Sequence, residues 1–221
     1  MNTTASILHS YRAQKLHERL RYFFHKIRNR VAYTFKNNRA DKINLCGGDP
    51  SIPGYFNVDM NYKADLIMDI SKKSLPFPKN SAEVIVCISA INYFSRKRGE
   101  EIIREVYGIL KTGGIARFAV QDLLEISKKY VNGDKDFFFQ QYNGRDRFKG
   151  ETMCDKINSW FYGYGHANKE KYMYDYETLS LLFRRAGFSK VEQKNYRESV
   201  LENIDMIDNR PDQMFFLEAV K

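Results

Sequence analysis

Between residues 5 and 36 the apolar positions Leu16, Leu20, Phe23, Phe24, Ile27, Val31 and Phe35 recur in steps of three and four. That spacing predicts one long amphipathic helix with a single apolar stripe. The polar stretch Asn37–Asp41 reads as a linker. The pattern then changes. Short apolar runs at 42–46 (KINLC), 56–60 (FNVDM), 64–70 (ADLIMDI), 83–89 (EVIVCIS) and 115–120 (IARFAV) have the length of buried strands. Helical spacing appears at 98–110, with Ile102, Ile103, Val106, Ile109 and Leu110 on one face. The Lys111-Thr112-Gly113-Gly114 turn stops that helix. A second helix is predicted over 175–186, with Asp175 as N-cap and Gly187 as stop. Residues 188–196 and 213–220 read as a final antiparallel pair of strands. Residues 121–170 are aromatic-rich and less regular.

Strands alternating with helices predict an α/β fold: a Rossmann-like, doubly wound, mostly parallel sheet with helices on both faces. The chain divides into a helical arm over 1–40 and one domain over 41–221. In such sheets the ligand lies beyond the carboxyl ends of the strands, where the strand order reverses. Gly47, Asp59, Asp69 and Ser89 all fall at those ends.

Charge refines this picture. Of the net +9 on 221 residues, residues 1–42 carry ten Lys/Arg against two acids, a net +8. The remainder is nearly neutral at +1. The basic footprint of a nucleic-acid binder is therefore absent from the fold itself. A near-neutral domain also argues, weakly, against a strongly anionic substrate. Cys46, Cys87 and Cys154 are odd in number and share no CxxC spacing. They suggest neither a disulfide framework nor a metal site, and they fit a reducing cytosolic compartment. No apolar run reaches the roughly 18 residues of a membrane span, and the N-terminus lacks the apolar core of a secretory signal.

The segments INLCGGDPSIPGYFNVDM (43–60), LPFP (75–78), EVIVCISAINYF (83–94), EIIREVYGILKTGGIARFAV (101–120) and the stretch ending in LLFRRAGF (181–188) resemble class I S-adenosylmethionine-dependent methyltransferases. The likeness extends over about residues 42–221. It is greatest to the small bacterial group encoded among surface-polysaccharide genes. The resemblance implies S-adenosylmethionine as cofactor and methyl transfer to an oxygen of a sugar or glycan intermediate. It places Cys46, Gly47 and Gly48 in the loop against the methionine part, and Asp59 on the ribose hydroxyls. Asp69 and Ile70 fall beside the adenine, and Ser89 and Ala90 near the methionine carboxylate or sulfonium. Two positions depart from the pattern. Cys46 stands where the first glycine of G-x-G is usual, and Asn92-Tyr93 stand where the family often has Glu-His.

Candidate bases for a substrate hydroxyl are His166, flanked by Gly163 and Gly165, and Asp122, which follows the fifth predicted strand. The alternative reading of Asp122 is a helix N-cap. For the basic arm three roles are open: a packing or dimerising helix, an interfacial helix on anionic lipid at the inner face of the membrane, and a nucleic-acid arm. Three other functions are weighed against the methyltransferase. The first is a catalytically silent partner-binding fold, motivated by Cys46, Asn92 and Tyr93. The second is an RNA methyltransferase. The third, a nicotinamide enzyme, is disfavoured because no G-x-G-x-x-G follows the first strand.

Overall fold

In the computed structural model the described residues are 40–48, 51–142, 144–162 and 171–221, together with Leu16, Arg19, Leu20, Phe23, Phe24 and Ile27. The strands are β1 (Lys42–Leu45), β2 (Phe56–Asp59), β3 (Leu66–Ile67), β4 (Ala82–Ile88) and β5 (Leu110–Gln121), with β8 (Lys190–Lys194) and β9 (Met214–Val220) at the end of the chain. They form one seven-stranded sheet in the order β3-β2-β1-β4-β5-β9-β8. Strands β1 to β5 pair in parallel, and β9 runs antiparallel to both β5 and β8. Ile43 and Leu45 sit at the centre, paired with Phe56 and Val58 on one side. Side chains such as Ile43, Leu45, Val58, Ile85 and Val86 have no exposed surface, as expected of parallel strands covered on both faces.

Helix α1 (Arg96–Ile109) starts where the Ser95 hydroxyl accepts from Arg98 N at 3.2 Å. It buries Ile102, Ile103, Val106 and Ile109. The next helices are α2 (Leu123–Val131), α3 (Lys135–Phe138), α4 (Met153–Tyr162) and α5 (Tyr176–Ala186). Helix α5 packs beside α1 and adds Leu179, Leu182 and Phe183 to the main core. Asp175 caps its start, and Gly187 ends it at φ +111°. This is the left-handed conformation that glycine takes without a Cβ penalty.

The opposite face is covered differently from expectation. Val84 and Val86 point there, the alternates of Ile85 and Cys87 on β4, and meet Ile52, Tyr55, Leu201 and Ile207. Among the described residues this cover is loop plus the four-residue helix α6 (Ile204–Ile207), not a row of long helices. Arg117 fastens it. Its buried guanidinium holds Asp208 through two bonds, at 2.6 and 3.2 Å, and donates to the carbonyls of Asn195 and Glu198.

Two further differences have local causes. The predicted strand 64–70 shrinks to Leu66–Ile67 because the flanking acids turn to backbone amides. Asp65 accepts from Asn57 N at 2.9 Å and Asp69 from Ser71 N at 3.0 Å. The irregular stretch after β5 contains α2, α3, a small hairpin of β6 (Gln141–Tyr142) with β7 (Arg145–Asp146), and α4. These enclose a second core of Ile126, Phe137, Phe138, Phe148 and Trp160. Within it Lys156 is almost wholly buried. It donates to the Phe148 carbonyl at 3.0 Å and lies 4.6 Å above the Phe139 ring.

Candidate active site

The strand order reverses between β1 and β4, and the loops after β1, β2, β3 and β4 converge on that point. Asp59, the last residue of β2, ties two of them together. One carboxylate oxygen accepts from Gly48 N at 3.0 Å and the other from Asn61 N at 2.7 Å. Each oxygen retains a lone pair, so the carboxylate can still accept two hydroxyls.

Beneath the β1 loop lie the amides of Asn44 and Asn57, both buried. Asn57 donates to the Gly48 carbonyl at 3.2 Å. A Cβ on Gly47 would fall 1.9 Å from the Asn44 side-chain nitrogen and 2.6 Å from Asn57 Oδ1, so no side chain fits there. Gly48 faces open space at φ +62°. Cys46 holds φ +56° and Ser89 φ +59°. For residues other than glycine such a conformation costs about 1–3 kcal/mol and persists where the surroundings enforce it. The two strained residues stand at the ends of the two central strands. Cys46 therefore keeps the backbone shape a glycine would give, and its sulfur is turned inward. Burial pushes its thiol well above the usual range, with Cys87, Asp59 and Asp69 adding to the effect.

Asp69 follows β3. Burial would raise its pKa. The Ser71 hydroxyl at 2.5 Å, Lys72 and the Ser71 amide outweigh burial and hold the carboxyl below its ordinary value. Ile70 is buried and its carbonyl accepts from Arg98 Nε at 2.8 Å. Ser89 N donates to the Ala119 carbonyl, and Ser89 Oγ accepts from Gln121 Nε2 at 3.2 Å. Ala90 is buried and precedes the short turn Ile91–Tyr93.

That turn leads from the cradle into a cavity of about 260 Å³ beyond the ends of β4 and β5. Its walls include Asn92, Tyr93, Gln121 and Trp160. Asn92 and Gln121 are each 4% exposed, yet among the described residues Asn92 Oδ1 and Gln121 Oε1 have no hydrogen-bond partner. Buried polar atoms are rarely left so, and each calls for an explanation. Burial raises the pKa of Tyr93 and lowers that of Lys171, whose ammonium lies 4.9 Å from the Tyr93 ring.

The two candidate bases fare differently. Asp122 caps α2, its Oδ1 accepting from Leu124 N at 3.0 Å and Glu125 N at 3.3 Å. Burial raises its pKa above the ordinary carboxylate value. Its neighbour Gln121, not Asp122, lines the cavity. His166 lies outside the described residues. The structure thus brings Cys46, Gly47, Gly48, Asp59, Asp69, Ile70, Ser89 and Ala90 to one end of the sheet. Sequence reasoning missed the buried amides Asn44 and Asn57 and treated Asn92 and Tyr93 only as departures. It also missed Gln121, although a polar residue closing the apolar run IARFAV was a usable signal.

The fold is Rossmann-like, with the cradle at the carboxyl ends of its central parallel strands. Residues 36–118 match the family model described as a methyltransferase domain. No curated protein matches the chain. Among solved structures, the chain is similar to an S-adenosylmethionine-dependent methyltransferase of Thermotoga maritima. The two are 15% identical over 98% of this chain and 97% of that one, with a TM-score of 0.47. A methyltransferase of Archaeoglobus fulgidus is 12% identical over 90% and 94% of the two chains, at TM-score 0.49. Phosphoethanolamine N-methyltransferase 2 of Haemonchus contortus, in complex with S-adenosyl-L-methionine, is 12% identical over 88% and 52%, at TM-score 0.47.

The match spans the whole cradle and implies S-adenosylmethionine as the group it would hold. The residues present fit that group. The space a Cβ on Gly47 would fill is kept clear, and Asp59 closes β2 with two acceptor oxygens.

Proposed function

We propose that the protein transfers a methyl group from S-adenosylmethionine to a hydroxyl oxygen of a small polar acceptor, a sugar or glycan intermediate. The observation that carries this reading is the pair of orphaned, buried oxygens in the cavity wall, Asn92 Oδ1 and Gln121 Oε1. Both can only accept, so a hydroxyl-bearing acceptor would satisfy them. The cofactor supplies the activated methyl on its sulfonium, and the chain supplies placement. In this reading Asp59 holds the ribose hydroxyls, and Gly47 and Gly48 admit the methionine part. Asp69 and Ile70 border the adenine. Ser89, bonded to Gln121, couples the cofactor loop to the cavity wall. In this reading His166 takes the hydroxyl proton, while Asp122 serves as the N-cap of α2.

The test is calorimetric titration with S-adenosylmethionine and S-adenosylhomocysteine, followed by methyl transfer to a panel of hexoses and oligosaccharides. Micromolar cofactor binding and transfer to a sugar hydroxyl are expected. Absence of cofactor binding by the folded protein would sink the reading. Binding without transfer to any sugar would favour the silent, partner-binding fold. Transfer to RNA instead, abolished by salt, would move the acceptor to nucleic acid.

A second proposal concerns location: a cytosolic protein whose segment 5–36 rests on anionic lipid at the inner membrane face. It is motivated by Leu16, Leu20, Phe23, Phe24 and Ile27, which are helical and between 46% and 65% exposed. Arg12, Lys15, Arg19, Arg21, Lys26, Arg28 and Arg30 accompany them in the sequence. An apolar stripe with basic flanks fits an interfacial helix. Co-sedimentation with phosphatidylglycerol vesicles, lost in a Leu20→Ser/Phe23→Ser/Phe24→Ser variant, is the expected result. No sedimentation, with a dimer in analytical ultracentrifugation that the same variant dissociates, would assign the stripe to self-association.

A further inference from the structure

Helix α1 does more than bury its apolar face. Arg98 and Glu105 lie two turns apart along one side of it, and both reach the loop that follows β3. Arg98 Nε donates to the Ile70 carbonyl at 2.8 Å, and Nη2 donates to the Lys73 carbonyl at 2.8 Å. Its Nη1 reaches Glu105 Oε1 at 2.8 Å and Glu101 at 3.2 Å. The second oxygen of Glu105 accepts from Leu75 N at 2.7 Å. One ion pair thus holds the loop by the backbone of Ile70, Lys73 and Leu75.

The loop has few other supports. Ile70 and Leu75 are buried, whereas residues 72–74 are exposed, and residues 68–81 contain neither helix nor strand. Such a segment keeps one shape only where specific contacts hold it. Lys72 N closes a turn on the Asp69 carbonyl at 3.2 Å, and Ser71 donates twice to Asp69 Oδ1. These bonds shape the turn without fixing where it stands against the sheet. Arg98 and Glu105 do fix it, because α1 is packed into the main core through Ile102, Ile103, Val106 and Ile109. The planar guanidinium fork suits this task. A lysine presents all its donors from one atom, so it would keep the charge beside Glu105 but could not serve both carbonyls in the same way.

We propose that Arg98 and Glu105 are positioning residues for the adenine side of the cofactor site, setting where Asp69 and Ile70 stand and so the preference for an exocyclic amine over a keto group. This rests on the methyltransferase reading above and on its placement of Asp69 beside the adenine. Burial would raise the pKa of Asp69, but its bonds to Ser71 and Lys72 hold it below the ordinary value. An ionised carboxylate only accepts, so it favours the amine of adenine and repels the keto oxygen of hypoxanthine.

The experiment titrates the full-length protein calorimetrically with S-adenosylhomocysteine and with S-inosylhomocysteine, which carries hypoxanthine in place of adenine. Wild type should prefer the adenine compound by about tenfold or more, since a site built to accept from an amine rejects an analogue lacking it. Arg98→Lys should bind S-adenosylhomocysteine about tenfold more weakly, the cost of a misplaced contact, and narrow the preference to about threefold or less. Glu105→Gln keeps an oxygen for Leu75 N and loses the charge facing Arg98. It should move both quantities the same way by less, and it carries the test if Arg98→Lys does not fold. Arg104→Ala removes an ion pair with Glu100 on the same helix and should move neither. Equal weakening of the two compounds, an unaltered Arg98→Lys variant, or the same change in Arg104→Ala would overturn the proposal while leaving the methyltransferase intact. A wild type that binds both compounds equally would remove Asp69 from the adenine and overturn the proposal with it. Failure of S-adenosylhomocysteine to bind the folded wild-type chain would overturn the methyltransferase reading itself.

Discussion

At the cradle the residues come from successive strand ends within residues 46–90, and its two acids are fixed by backbone amides close in sequence. Asp59 binds the amides of Gly48 and Asn61, and Asp69 that of Ser71. The cavity beyond β4 and β5 is assembled otherwise. Its wall draws Asn92 from a turn after β4, Gln121 from the end of β5, Arg145 from a hairpin, Trp160 from α4, and Arg210 and Gln213 from the approach to β9. One region is a local device repeated along a parallel sheet. The other is a convergence of segments up to 121 positions apart, held by the second aromatic core and by Arg117. The difference teaches where variation is tolerated. The cradle must fit one cofactor, while a wall of loops and short helices can be reshaped for a different acceptor without disturbing the sheet.

The sharpest way to break this contrast is at Arg117. Its side chain is fully buried and binds Asp208, which precedes the cavity residues Arg210 and Gln213. Arg117→Ala leaves Asp208 buried and unpaired, so a loss of about 3–5 kcal/mol in urea unfolding is expected. Replacing both partners, as Arg117→Met/Asp208→Leu, should recover much of it. If the single variant unfolds no more easily than wild type, the anchoring role of this pair is wrong.

On the cradle side, Asp59→Ala removes an acceptor for two hydroxyls. At about 1.5–3 kcal/mol for each bond to a charged group, S-adenosylhomocysteine affinity should fall about a hundredfold or more by calorimetry. Binding of sugars to the cavity should change far less. Gly47→Ala forces a methyl group into Asn44 and Asn57, and a cost of about 1–3 kcal/mol in stability is expected. Gly48→Ala meets open space, but at φ +62° an alanine is strained by about 1–3 kcal/mol, so an unchanged stability in that variant would show that the loop can leave the left-handed region.

The smallest effect tests the scaffold that both regions share. Asp175 caps α5, and its bonds to the Thr178 hydroxyl and amide hold its pKa below the usual value. A depressed folded pKa stabilises the protein above the unfolded value of about 3.9 and ceases to do so as pH falls through the folded value. Asp175→Ala should cost about 1 kcal/mol at pH 7. The difference from wild type should shrink in unfolding curves as pH falls below the unfolded value and through the depressed folded one.

Much of the fold was legible because its signals are local. Ile43, Leu45, Val58, Ile85 and Val86 lie in short apolar runs that only a doubly covered strand can bury. Asp175 and Gly187 bracket α5 as helix punctuation requires. The acids at Asp59 and Asp69 were visible as strand-end residues. What escaped was set by partners distant in sequence. The run 64–70 carries strand-forming residues throughout, yet Asp65 and Asp69 bond to backbone and end the ladder early. Net charge is a sum without positions, and folding places Arg145, Arg147, Lys171 and Arg210 around one opening.

By itself, then, the sequence determined the α/β alternation, the helix boundaries and the acids and glycines at the strand ends, because periodicity, capping and backbone freedom act over a few residues. Only the tertiary structure decided that Cys46 takes a glycine-like backbone, that Asn92 Oδ1 and Gln121 Oε1 are buried without hydrogen-bond partners among the described residues, and that Arg145, Arg147, Lys171 and Arg210 line one cavity. Each depends on which surfaces are brought together, and that follows from packing across the whole chain rather than from any window of it.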